Sequence, residues 1–106
     1  MIHIKSIISN KKCCYVCGNP NNIEEHHIFF GNPRRKISEK YGLKVWLCTK
    51  HHRGTNGVHG KNGHELDLKL KEIAQKKYEK KHTREDFIQL MGKNYVRSAE
   101  NERESS

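Results

Sequence analysis

The chain has 106 residues, 33% hydrophobic and 31% charged, with 21 Lys and Arg against 12 Asp and Glu for a net charge of +9. That length holds one small domain, and so thin an apolar content usually needs a disulfide or a structural metal beside it. The charge suits a polyanionic partner, nucleic acid before a membrane surface, and no apolar run is long enough to span a bilayer.

The opening Met1-Ile2-His3-Ile4 is apolar, but Lys5, Ser9, Asn10 and Lys11 break the stretch too early for a secretion signal. The expected setting is therefore reducing and cytoplasmic. Residues 1–12 read as a strand or a half-ordered arm. Cys14-Tyr15-Val16-Cys17-Gly18 is a knuckle whose glycine permits a tight turn. Asn19-Pro20-Asn21-Asn22 is dense turn chemistry. Ile23 to Phe30 reads as a strand, broken by Gly31-Asn32-Pro33. Ile37 to Tyr41 is at most a short helix, stopped by Gly42. Leu43 to Leu47 reads as a second strand running into Cys48, followed by a helix or tight turn.

Five residues between 54 and 63 (Gly54, Asn56, Gly57, Gly60, Gly63) predict a loop. Leu66, Leu70, Ile73, Ala74 and Tyr78 then recur at helical spacing. Thr83 offers an N-cap for a last helix carrying Phe87, Leu90 and Met91, with Gly92 to end it. Residues 97–106 hold almost no apolar side chain and are expected to be disordered.

All four cysteines and six of the eight histidines fall between positions 13 and 64. In a reducing compartment, Cys-x-x-Cys reads as metal-binding or redox rather than as a disulfide. Cys14 and Cys17 form one half-site, and Cys48 and His51 repeat the same gap. Together they predict a tetrahedral structural Zn²⁺ site that closes the intervening thirty-odd residues into a loop. Cys13 is surplus. His52 competes for the fourth position, but adjacent residues on a helix point about 100° apart, so His51 and His52 should serve different sites. A thioredoxin-like role has no βαβ pattern to support it.

Cys-x-x-Cys, a strand ending in His26-His27-Ile28, and Leu47-Cys48-x-x-His51-His52 resemble the HNH endonucleases, whose core is the ββα-metal fold. The glycine-rich stretch around His59 and the Lys-rich helix after it look like the phage recombination-enhancement group, whose nucleases depend on RecA. The resemblance covers residues 14 to about 64. It implies a small α+β protein: a zinc-stapled ββα-metal core at 13–64, then two C-terminal helices in a 65–96 extension, all one nuclease domain over 1–96.

The implied activity is metal-dependent hydrolysis of DNA phosphodiester bonds, by an endonuclease or nickase encoded by a phage or prophage. By position, His26, His52 and His59 match ligands of a catalytic divalent ion (Mg²⁺ or Mn²⁺, with Zn²⁺ a further option), His64 competes with His59, and His27 matches the general base. Neighbours on a straight strand face opposite ways, so His26 and His27 reach one site only if the strand bends there. The family's middle Asn is missing from Gly42 to Leu47, so either Asn32 or Asn56 substitutes or the role is lost.

Arg34, Arg35, Lys36, Arg53 and Lys61 flank these histidines and are the expected DNA contacts, giving salt-sensitive, sequence-independent affinity. The lysines of the long helix read equally well as a solvated face, with Glu72 and Lys76 as an i,i+4 pair. The competing function is a non-catalytic zinc finger that binds nucleic acid.

Overall fold

The computed structural model describes residues 5–96. Residues 1–4 and the tail expected to be disordered, 97–106, lie outside them. Two strands, β1 (Ile23–His27) and β2 (Lys44–Cys48), pair antiparallel, with α1 (Arg34–Tyr41) in the connection between them. A short α2 (Thr49–Arg53) follows β2 directly, and α3 (His64–Tyr78) and α4 (Arg84–Met91) complete the chain. The result is a small α+β protein, with the two C-terminal helices expected from periodicity. No helix among the described residues is long and apolar enough to cross a membrane.

The register pairs Glu24 with Leu47, Glu25 with Trp46, His26 with Val45 and His27 with Lys44. Directly opposed residues share a face and successive ones alternate. Glu24, His26, Val45 and Leu47 therefore form one face, while Glu25, His27, Lys44 and Trp46 form the other. Val45 and Leu47 are buried, which locks this register, since a one-residue slip would expose both.

β1 ends at His27, three residues before the expected Phe30. The Ile28 N–H still donates to the Leu43 carbonyl at 3.0 Å. At Phe29 the buried Ser38 takes over. Its hydroxyl donates to the Phe29 carbonyl at 2.8 Å and accepts from the Phe29 N–H at 3.1 Å. A side chain of α1 thus satisfies backbone groups that a longer strand would have used. Helix α1 is correspondingly firmer than a marginal turn. It stops at Gly42, whose φ of 72° suits glycine, and a Cβ there would strike the Lys5 carbonyl oxygen.

Residues 5–12, expected as a strand or arm, form no strand among the described residues. They lie along β2 instead. The Ile7 N–H donates to Gly42 O at 2.9 Å and the Ser6 hydroxyl to Lys44 O at 2.5 Å. The core joins Ile28, Phe29, Leu43 and Leu47 to Leu70, Ala74, Phe87 and Met91 from the last two helices. Each such side chain contributes about 1.5–3 kcal/mol when fully buried. Thr83 caps α4 in a reciprocal box with Asp86, as its position predicts.

Candidate metal centres

The knuckle brings Cys14 and Cys17 beside Cys48 and His51, which sit where β2 runs into α2. Cys17 Sγ lies 3.8 Å from Cys48 Sγ, Cys14 Sγ 3.6 Å from His51 Nδ1, and Cys48 Sγ 3.2 Å from His51 Nδ1. These separations are close to the roughly 3.7 Å edge of a tetrahedron built on Zn–S bonds of about 2.3 Å. The donor set and its spacing fit a tetrahedral metal. Cys13 stays outside the group, half-buried and free. Burial pushes the Cys14 thiol up, but backbone N–H groups of Cys17, Cys48 and Val16 outweigh it and bring the pKa down to about 6. That favours the thiolate that a metal needs.

A second group is formed by His26, His52 and His59. Their ring centroids are mutually 5.1, 5.1 and 4.9 Å apart. His26 comes from β1 and His52 from α2. His59 comes from the glycine-rich loop, which folds back onto α2 through Val58 N–H to His51 O at 2.9 Å and His59 N–H to His52 O at 3.0 Å. That return needs glycine, because a Cβ at Gly60 would overlap the carbonyl oxygens of Gly54 and Thr55. The structure thereby brings His59 into the group and leaves His64, at the start of α3, outside it.

His26 is 2% exposed and its Nε2 is buried without a hydrogen-bond partner. A buried imidazole nitrogen left unpaired is costly, and a metal would satisfy it. Burial, then the neighbouring imidazoles of His52 and His59, hold the His26 pKa down at about 3. Burial first and His52 second also lower that of His59. Both rings are thereby kept neutral and able to donate a lone pair.

Glu24 orients the His52 ring. His52 Nδ1–H donates to its Oε1 at 2.6 Å, which turns Nε2 away as the donor atom, the carboxylate–histidine arrangement of many metal sites. Arg53 pairs with the same carboxylate. The Arg53 guanidinium and then His52 hold the Glu24 pKa at about 2. Phe30 packs its ring 4.9 Å from that of His59, and the Lys71 ammonium lies 4.6 Å over Phe30. Lys71 is in turn paired with the buried Asp67 at 2.9 Å.

The bend expected in β1 does not occur. His27 lies on the opposite face from His26 and outside the three-histidine group. Its Nε2 donates to Glu39 Oε1 at 2.8 Å. Glu25, His27 and Glu39 come close enough to resemble a third ligand set. However, the buried Lys44 ammonium sits among them, 3.1 Å from Glu25 and 2.9 Å from Glu39. The chain supplies its own cation there.

The expected DNA contacts Arg34, Arg35, Lys36, Arg53 and Lys61 are all exposed. Arg34 reaches the end of α4, donating to Met91 O at 3.2 Å, and Arg53 is committed to Glu24. Asn56, a candidate for the missing Asn, accepts from Asn62 within the loop at 3.2 Å. The roles of Glu24, Glu39 and Lys44 were missed in the sequence. The signal was available in the strand alternation, which sets Glu24 with His26 and Glu25 with His27. Compared with protein-family models, curated proteins and solved structures, the chain matches none.

Proposed function

We propose that the protein is a metal-dependent endonuclease or nickase of the HNH type, acting on DNA. One observation carries this reading: three histidines from β1, α2 and the following loop converge with an unpartnered buried nitrogen, directly beside a Cys₃His group. A β-β-α segment with a structural zinc and a histidine-ligated ion is what the HNH resemblance implies. His26, His52 and His59 would hold a divalent ion, which would supply Lewis-acid chemistry toward a phosphodiester.

The chain's own residues do the rest. Glu24 fixes the His52 ring. On the opposite face of the sheet, Glu39 accepts from His27 Nε2–H, so the neutral tautomer carries its lone pair on Nδ1, away from the three-histidine group. Arg35, Lys36 and Lys61 hold the phosphate backbone from outside.

The test is cleavage of supercoiled plasmid and of single-stranded DNA with Mg²⁺ or Mn²⁺, with and without a RecA filament. Wild type should nick or cut. His27→Ala should keep its metals and fold, and cleavage about 10²–10⁴-fold slower, the usual contribution of a general base, would assign it that role from the far face of the sheet. Because His27 faces away from His26, undiminished cleavage in that variant would remove it from the chemistry while leaving the three-histidine group in place. Retarded bands with no cleavage under any condition would instead support the zinc-finger binding module.

A further inference from the structure

The face of the sheet opposite the three-histidine group carries a cavity of about 250 Å³ lined by Lys5, Ser6, Ser9, Lys12, Lys44 and Trp46, among others. Neither metal group uses it. Its walls are built rather than incidental. The Ser6 hydroxyl donates to Lys44 O at 2.5 Å and accepts from the N–H groups of Ile8 and Ser9 at 3.0 and 3.3 Å. The Tyr15 N–H donates to Trp46 O at 2.8 Å. These bonds hold the 5–15 segment against β2 and set Lys12 with its ammonium 5.3 Å over the indole ring.

Within the cavity, Lys44 is balanced by Glu25 and Glu39, whereas Lys5 and Lys12 are exposed. The half-buried Trp46 offers an aromatic surface beside these two cations. A flat ring in a cavity lined by two exposed ammonium groups matches one ligand chemistry well: an unpaired nucleobase that takes the place of the Lys12 ammonium over the indole, with its phosphate on the lysines. A duplex keeps its bases inside the stack and cannot offer that ring.

We infer that Trp46, Lys5 and Lys12 form an accessory subsite for one nucleotide of single-stranded nucleic acid, on the far side of the sheet from the three-histidine group. The inference rests on the nuclease reading for its purpose but not for its ligand. Since the subsite lies on the other face, it anchors the strand without touching the reacting phosphate. Its loss should raise KM and leave kcat unchanged.

Trp46 is the only tryptophan in the chain, so the intact, metal-loaded protein reports on the site directly. Its emission is followed while a short single-stranded oligothymidylate, a duplex of the same length, or polyglutamate is added at low salt. The single strand should quench saturably, and the other two should quench little. Lys5→Ala combined with Lys12→Ala, both surface changes, should weaken oligothymidylate binding about tenfold or more, as expected for losing a stacked and charge-held base. KM for cleavage should rise with it at constant kcat. Trp46→Phe, read by anisotropy of labelled oligothymidylate, should bind better than Trp46→Ala.

Unchanged emission at saturating oligothymidylate, in a preparation that still cleaves DNA, would overturn the subsite alone. Equal quenching by polyglutamate or by duplex would overturn its nucleotide chemistry, as would wild-type affinity in the double-lysine variant. Quenching by the single strand with no cleavage in Mg²⁺ or Mn²⁺ would uphold the subsite and overturn the nuclease reading.

Discussion

Glu24 shows how much one side chain settles here. It stands two residues before His26 on the same face of β1, and it holds both His52 Nδ1 and Arg53. Removing its charge should loosen the three-histidine centre without touching the Cys₃His group. Glu24→Gln is expected to weaken binding of the catalytic ion about 10–100-fold, the usual cost of losing an outer carboxylate, while the structural zinc stays bound. Metal titration calorimetry on the zinc-loaded protein reads this out.

The same residues predict a pH dependence. Folded His26 holds its pKa near 3 against an ordinary 6.5. Below pH 6.5 the unfolded chain therefore takes up a proton that the folded one refuses, and stability falls with acidification toward pH 3. Glu24, held at about 2 against an ordinary 4.5, contributes stability above pH 4.5 and loses it as pH falls toward 2. The two slopes share a sign, so the melting temperature should be lower at pH 4 than at pH 7. A flat profile across that range would contradict the buried, neutral His26.

The metal-group residues themselves were largely legible in the sequence, because two half-sites with equal gaps and a histidine doublet are local patterns. Glu39 was not, since its pairing with His27 spans α1 and depends on where that helix docks.

At the scale of elements, the loop between α2 and α3 decides whether His59 joins the site. Its glycines signalled a loop in the sequence, but not a loop folded back on the backbone of α2. That return depends on the close approach of Gly60 to the carbonyls of Gly54 and Thr55. Gly60→Ala should therefore displace His59, abolish binding of the catalytic ion and leave one zinc per chain. Retention of both metals in that variant would show that the loop has room to spare.

The early end of β1 is the complementary case. Ile28, Phe29 and Phe30 look like continuing strand, and all three follow a β-rich pattern. What stops the ladder is the Ser38 hydroxyl, nine residues away, and no local propensity announces it. The short helix α1 was underrated for the same reason. Its value comes from docking Ser38 and Glu39, not from its own apolar face.

Across the whole molecule, the two groups divide the labour that so small a core cannot perform alone. A structural zinc in such a site is worth on the order of 10 kcal/mol or more, comparable to the entire stability of an ordinary domain at about 5–15 kcal/mol. A metal in the Cys₃His group would tie the Cys14–Cys17 knuckle to the end of β2 and to α2, leaving the three-histidine group, with its unpaired buried nitrogen, for the proposed reactive site. The positive charge of the chain adds salt-dependent attraction to a polyanion, though Arg53 is partly neutralised by Glu24.

We propose that the three-histidine group is a metal centre that cleaves DNA. Metal content per chain, measured by native mass spectrometry alongside plasmid nicking for wild type and His59→Ala, tests it most directly. Two ions and nicking are expected in wild type, and one ion, a preserved fold and no nicking in His59→Ala. A single ion in wild type, or nicking that survives in His59→Ala, would contradict it.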